Sequence, residues 1–255
     1  MTRRLTAGIA LALAFSLAAP AQEAAKESPS AEEIVARYVA ARGGADRWSE
    51  VHSLRATGSY SAFSFKAGFA LLRQRGDFYR LDFEMLQSPA VRARDDSGAW
   101  GLHKLLWPEP TRLDESPYNP QFEREAVFGP LLLDPTTRGV SVAALGPGEI
   151  DGITTVGLAI VLEDGREEVW HLDAKTYLEV AIESEVVDFT QARDPVRQRT
   201  FFDDFRPVDG LVLPHWVEHE FNHRLEGMTI EAWELNPELA PDAFSPPAVD
   251  PSGDQ

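Results

Sequence analysis

The residues of this 255-residue chain best suited to chemistry by type and spacing are His219-Glu220-Phe221-Asn222-His223. On a helix, the His-Glu-x-x-His spacing sets both imidazoles on one face. There they bind zinc, and the glutamate acts as general base toward a metal-bound water. His215 lies one further turn back, and a helix from Pro214 to Gly227 would begin on proline and stop on glycine. The activity so described is that of a zinc-dependent hydrolase. It also needs a third protein ligand, and the longer form of the motif requires glycine where this chain has Glu226. Composition alone produces such a match in roughly one chain per hundred of this type.

Other reactive types are scattered. The carboxylate pairs Asp95-Asp96, Glu167-Glu168 and Asp203-Asp204 suit acid–base work. Neighbours on a strand point to opposite faces, however, so these pairs read as turn and surface charges. His52, His103 and His171 stand alone and read as surface or half-buried strand residues. No serine sits in a Gly-x-Ser-x-Gly elbow, and no glycine loop is shaped for phosphate. The residues supply no catalytic centre, metal site or cofactor site, and the expectation is a protein that is not an enzyme.

The elements that must position these residues are strands. Around the motif, Leu211, Leu213, Val217 and Phe221 alternate with Glu218, Glu220 and Asn222, a period of two. On a strand, side chains four apart lie roughly 13 Å apart and cannot share a metal. The same period runs through residues 150–235, with Glu163-Asp164-Gly165 and Asp209-Gly210 at the breaks, and it predicts antiparallel strands joined by hairpins. Strands are also expected from Leu54 to Gly58, Phe63 to Leu71, Tyr79 to Met85, Ala90 to Arg94 and Ala99 to Trp107, with a hairpin break at Arg75-Gly76-Asp77. A helix is expected before them. Ser30-Ala31-Glu32-Glu33 has capping-box spacing, Ile34, Val35, Tyr38 and Val39 share one face, and Gly43-Gly44 ends the run.

Residues 108–138 break the rhythm with six prolines. A short helix over Phe122 to Phe128, with Phe122, Ala126, Val127 and Phe128 in it, is followed by Leu131-Leu132-Leu133. This connection is either a lid over a cavity or a plug packed into the core. Large apolar residues gather on single strand faces: Phe63, Phe65, Phe69, Leu71, Leu81, Phe83, Leu158, Ile160, Trp170, Leu172, Val180 and Ile182. They form either an ordinary core under the helix or the wall of a cavity wide enough for an acyl chain.

Met1 to Arg4, an apolar run from Leu5 to Ala19 and Ala19-Pro20-Ala21 describe a signal peptide over 1–21, cut after Ala21, and place the protein in the periplasm. Residues 22–29 read as a disordered leader, 30–247 as one domain and 248–255 as a flexible tail. The chain has no cysteine, so neither disulfide nor thiolate chemistry is available. Without Arg3 and Arg4 it carries 22 basic and 41 acidic residues, a charge of −19, which excludes nucleic acid as a partner.

Several segments carry a resemblance. The helix from Ile34 to Gly44, with Trp48 to Leu54 leading into the first strand, resembles the start of the LolA/LolB-like periplasmic lipoprotein-sorting proteins. Trp170-His171-Leu172-Asp173-Ala174-Lys175-Thr176-Tyr177-Leu178 resembles that family's strand and Asp-x-Lys-Thr turn. Phe205 to Pro214 resembles its Asp-Gly-x-x-x-Pro approach to the last hairpin, and Glu234-Leu235-Asn236 with Phe244 to Pro247 resembles its ending. The resemblance implies a mainly β fold, a single curved antiparallel sheet forming an open half-barrel, with the N-terminal helix and a lid or plug helix on its concave side. It implies a monomeric carrier whose cavity takes the acyl chains of lipids or lipoproteins and which meets a membrane-associated protein partner. A stress-sensing or scaffold module on the same fold is the alternative within the superfamily.

Overall fold

The computed structural model describes residues 28–62, 65–85, 88–104, 106–187 and 195–247. The expected signal peptide, most of the leader, the tail and Phe63 lie outside the described residues. The chain opens with α1 (Ala31–Ala41) and α2 (Ala45–Ser49). The capping box forms as expected, with Ser30 Oγ accepting from Glu33 N at 3.2 Å and Ser30 N donating to Glu33 Oε2 at 3.3 Å. Gly43 allows the turn that follows. Its φ is +108°, and a Cβ there would stand 2.5 Å from the Gly210 carbonyl oxygen.

Two meanders follow. The first comprises β1 (Ser53–Ala62), β2 (Phe65–Gln74), β3 (Phe78–Met85), β4 (Ser88–Asp95), β5 (Gly98–His103) and β6 (Trp107–Arg112). The second comprises β7 (Ser141–Ile150), β8 (Ile153–Val161), β9 (Glu167–Asp173), β10 (Glu179–Val187), β11 (Pro195–Val208), β12 (Leu211–Phe221) and β13 (Arg224–Leu235). Pairing of β1 with β13 fuses them into one sheet of 13 antiparallel strands, ordered β6-β5-β4-β3-β2-β1-β13-β12-β11-β10-β9-β8-β7. The edges β6 and β7 are consecutive in sequence and are not paired with each other, so the sheet is an open half-barrel.

That order explains the proline-rich connection. The chain must pass from one edge to the other, and it does so across the concave side, carrying α3 (Asn119–Ala126) and a 3₁₀ turn at Leu131–Leu133. Phe122, Ala126, Phe128, Leu131 and Leu132 are all buried, and Val127 is half-buried. As folded here the connection is packed as a plug. Leu131 and Leu132 join Ile34 and Tyr38 of α1 over the β8–β10 wall, Phe128 packs with Trp48, and Phe122 packs with Ala99 and Leu113.

Four expectations need correction. The short helix expected over Phe122 to Phe128 is α3 (Asn119–Ala126), which starts earlier because Pro120 suits a first helical turn, and which leaves Val127 and Phe128 outside it. The strand expected from Ala99 to Trp107 is two, because Trp107 opens β6 despite Pro108 and Pro110. An edge strand tolerates proline because its outward N–H groups have no ladder partner. Of the carboxylate pairs, Glu168 and Asp95 are buried and ion-paired rather than surface charges, to Arg124 at 2.6 Å and Arg112 at 2.7 Å. His103 is fully buried.

Candidate functional site

Cross-strand register identifies what faces the lumen. Phe65 of β2 stands opposite Ala62, which stands opposite Glu226, then His219, Thr200, Ile182, Trp170 and Leu158, one per strand from β2 to β8. A parallel row runs Ala67, Tyr60, Met228, Val217 and Phe202. The first histidine of the zinc-like motif is therefore a lumen residue on a strand. Asn222 and His223 have φ of 49° and 59° and make the two-residue turn between β12 and β13, the backbone that a type I′ hairpin demands. The helix on which a His-Glu-x-x-His site depends is not there. Among the described residues no three His, Asp or Glu side chains gather as a metal set.

The residues expected to wall a cavity separate into groups. Leu158, Ile160, Trp170, Leu172 and Ile182 are buried beneath α1 and the 3₁₀ turn. Phe69, Leu71 and Leu81 join Ala56, Tyr60 and Tyr79 in a second cluster, closed by Ala126 of α3. Val180 is buried as well. Phe65 and Phe83 are half-exposed, as are Ala67, Val217, Met228 and Phe202, which are not among the residues expected to wall the cavity. These six make an apolar band on the part of the concave face that the helices leave uncovered.

A polar group stands beside this band. Arg92 of β4, opposite Leu81, lies over Phe83 with its guanidinium carbon 5.5 Å from the ring centroid. Glu125 of α3 accepts from Tyr79 Oη at 3.0 Å and from Gln121 Nε2 at 3.1 Å. Tyr60 Oη donates to Glu226 at 2.8 Å, and His219 Nδ1 lies 2.8 Å from Thr200 Oγ1 and 3.3 Å from Gln198 Nε2. β4 and β12 are five ladder steps apart, about 24 Å along a flat sheet. Even so, Glu125 and Arg92 both act electrostatically on the His219 ring, and Ala126, next to Glu125 on α3, shares one apolar cluster with Tyr79 and Leu81 of β3 and Val217 of β12. Two tyrosines are pushed up in pKa, each by burial first and then by its carboxylate, Glu226 for Tyr60 and Glu125 for Tyr79. Both stay protonated and donate.

Burial holds the His219 pKa down to about 4; Arg92 adds to the effect and Glu125 opposes it. A folded pKa below the unfolded value of about 6.5 means that the unfolded chain binds more protons between those pH values. The His219 contribution to stability is thus complete above about pH 6.5 and is lost as pH falls toward about 4. Urea unfolding across that window should show wild type losing more stability than His219→Gln. Parallel pH profiles for the two proteins would contradict the assignment.

A second concavity, of about 880 Å³, opens where β9 and β10 part, since their ladder ends at Glu183 opposite Val169 while β10 runs on to Val187. Glu167, Glu168, Glu183, Glu185 and Glu220 line it together with Arg166, Arg197, Arg199 and His223. Arg199 is held by Glu183 at 2.9 Å and Arg166 by Asp164 at 2.7 Å. Mixed charge of this kind suits a polar solute rather than an alkyl chain. Glu220 and His223 of the zinc-like motif line this space, as does Gln198, the neighbour of His219.

Similar solved structures have the same architecture. A DUF1329 family protein from Desulfovibrio piger is 13% identical over 84% of this chain and 96% of that one, with a TM-score of 0.55. A putative outer membrane lipoprotein-sorting protein domain from Vibrio parahaemolyticus is 14% identical over 84% and 95%, with a TM-score of 0.55. A LolA superfamily protein from Nitrosomonas europaea is 10% identical over 86% and 98%, with a TM-score of 0.52. At such identities the likeness is one of fold, and the fold is LolA-like, as the resemblance implied. The sequence matches no protein-family model and no curated protein.

Proposed function

We propose that this protein is a periplasmic, non-enzymatic binding protein that shelters an acyl chain of a lipid or lipoprotein in the lumen of its half-barrel. The observation that carries this reading is the uncovered apolar band of Phe65, Ala67, Phe83, Phe202, Val217 and Met228, left half-exposed on a concave face that is otherwise packed by helices. Each methylene of a chain laid on the band stabilises the complex by about 0.8 kcal/mol. The chain reaches further if the plug yields, since Phe122 and Phe128 cover apolar strand residues that would serve as wall. The LolA-like fold supports the reading without specifying a cargo.

The test is denaturing organic extraction of protein purified from its native periplasm, followed by mass spectrometry. An acyl-containing species near one equivalent is expected. Finding none, with no quenching of tryptophan fluorescence by added long-chain fatty acid, would reject the carrier reading. The scaffold alternative has one observation in its favour, the plug itself. It predicts a lumen filled by the protein's own side chains and no lipid in either experiment.

A further inference from the structure

Arg92 is a half-buried cation whose hydrogen bonding is incomplete. Its side chain is 19% exposed. Its contacts among the described residues are an ion pair with Glu125, a long hydrogen bond from Nη1 to Oε1 at 3.5 Å, and the faces of Phe83 and Phe122 at 5.5 and 6.0 Å. Nε is buried with no partner. Glu125 is already engaged by Tyr79 and Gln121 at shorter distances. Other arginines of this molecule show what the vacant edge is suited to hold. Arg124, Arg80 and Arg206 each present Nε and Nη2 to both oxygens of one carboxylate, those of Glu168, Asp82 and Asp204. The same edge of Arg92 holds nothing among the described residues.

From this we infer that the lumen ligand bears a single anionic headgroup, a carboxylate, which docks on the Nε–Nη2 edge of Arg92 as α3, whose Phe122 and Glu125 lie against that guanidinium, draws back, while its alkyl chain runs over Phe83 and Phe65 toward Met228 and Val217. The inference rests on the carrier reading and names the class of amphiphile that it takes. A guanidinium fork matches the two oxygens of a carboxylate in its own plane. The band begins directly beneath the cation, because Phe83 is the ring that Arg92 covers. The lumen also limits the charge of the ligand. Glu125 and Glu226 both act on Arg92, which discourages the second negative charge of a phosphate monoester.

The experiment is titration of the purified protein, by calorimetry or tryptophan fluorescence, with four probes sharing one alkyl length: palmitate, methyl palmitate, hexadecyl phosphate and hexadecylamine. Palmitate should bind about tenfold or more tighter than the ester and the amine, and more tightly than the phosphate. Arg92→Gln should remove the preference for acid over ester by weakening palmitate alone, and Arg92→Lys, which keeps the charge but loses the fork, should fall between. Equal affinity of wild type for acid and ester overturns the headgroup assignment and leaves the carrier reading standing. A loss in Arg92→Gln that is equal for both probes assigns Arg92 a structural role and also overturns it. Binding of none of the four overturns the carrier reading along with it. The wild-type probe series decides the question even if the variants fold poorly.

Discussion

Replacing Glu179 by alanine should cost about 3–5 kcal/mol, a large part of the stability of a domain whose total is about 5–15 kcal/mol. Glu179 at the start of β10 is the anion to which the end of α1 is bound. Both of its oxygens accept from Arg42 Nη1 at 2.8 Å, and Oε1 accepts from Tyr38 Oη at 2.6 Å. The two charged side chains are 8% and 6% exposed, and the guanidinium also lies 5.5 Å from the Phe205 ring centroid. Removing the carboxylate leaves a guanidinium out of water with no counter-charge and a buried hydroxyl with no acceptor, and neither can be rehydrated without prising α1 from the sheet. Urea denaturation monitored by far-UV circular dichroism measures the cost. Glu179→Gln should lose less, since the amide oxygen still accepts one bond. Removing both charges, as in Arg42→Met with Glu179→Leu, should recover the part of the loss that lies in the uncompensated ion, while the Tyr38 hydroxyl still lacks its acceptor. A loss below about 1 kcal/mol for Glu179→Ala would show that water reaches Arg42.

Strand faces and turns were legible because they obey local rules. Tyr79, Leu81 and Phe83 alternate with Arg80 and Asp82, and the structure puts the first three in or against one apolar cluster. Asp209-Gly210, with φ of 43° and 85°, forms a two-residue hairpin turn that its composition announces. A period of two does not say which other element will cover a face. Trp170 and Phe65 stand on one cross-strand row, yet Trp170 is sealed by α1 while Phe65 faces the opening, because the plug and helix reach only part of the lumen. Local pattern places Arg92 only within the strand from Ala90 to Arg94. Its pairing with Glu125 depends on where α3 crosses the sheet, which is a long-range property. The zinc-like motif illustrates the same limit in reverse: residues adjacent in sequence are sent to the lumen, the opposite face and a turn, and the chemistry their spacing suggested dissolves.

The plug gives the second large prediction, because it is tied to the sheet through a residue of the apolar core. Trp170 is 2% exposed, meets Tyr38 edge to face at 5.8 Å between ring centroids, and donates from Nε1 to Glu168 Oε2 at 2.7 Å. Glu168 in turn holds Arg124 of α3 through both oxygens, at 2.6 and 3.0 Å. Trp170→Ala should cost about 3–5 kcal/mol, the range for emptying a buried tryptophan site. Trp170→Phe separates the two roles of the side chain, since it keeps most of the apolar contact and deletes the indole donor. It should cost about 1–2 kcal/mol, within the range for stranding one partner of a buried hydrogen bond to a charged group. The deletion should also loosen α3. Glu168 keeps Arg124 but loses the donor that fixes its rotamer, so amide exchange in Asn119–Ala126 should accelerate in Trp170→Phe more than in a core variant of equal cost, such as Leu158→Val. If the two variants exchange alike in α3, Trp170 contributes volume only and the plug is held by its own apolar contacts. If α3 opens selectively, the same hydrogen bond governs how much of the lumen a ligand can reach, and acyl-probe affinity should rise in Trp170→Phe despite its lower stability.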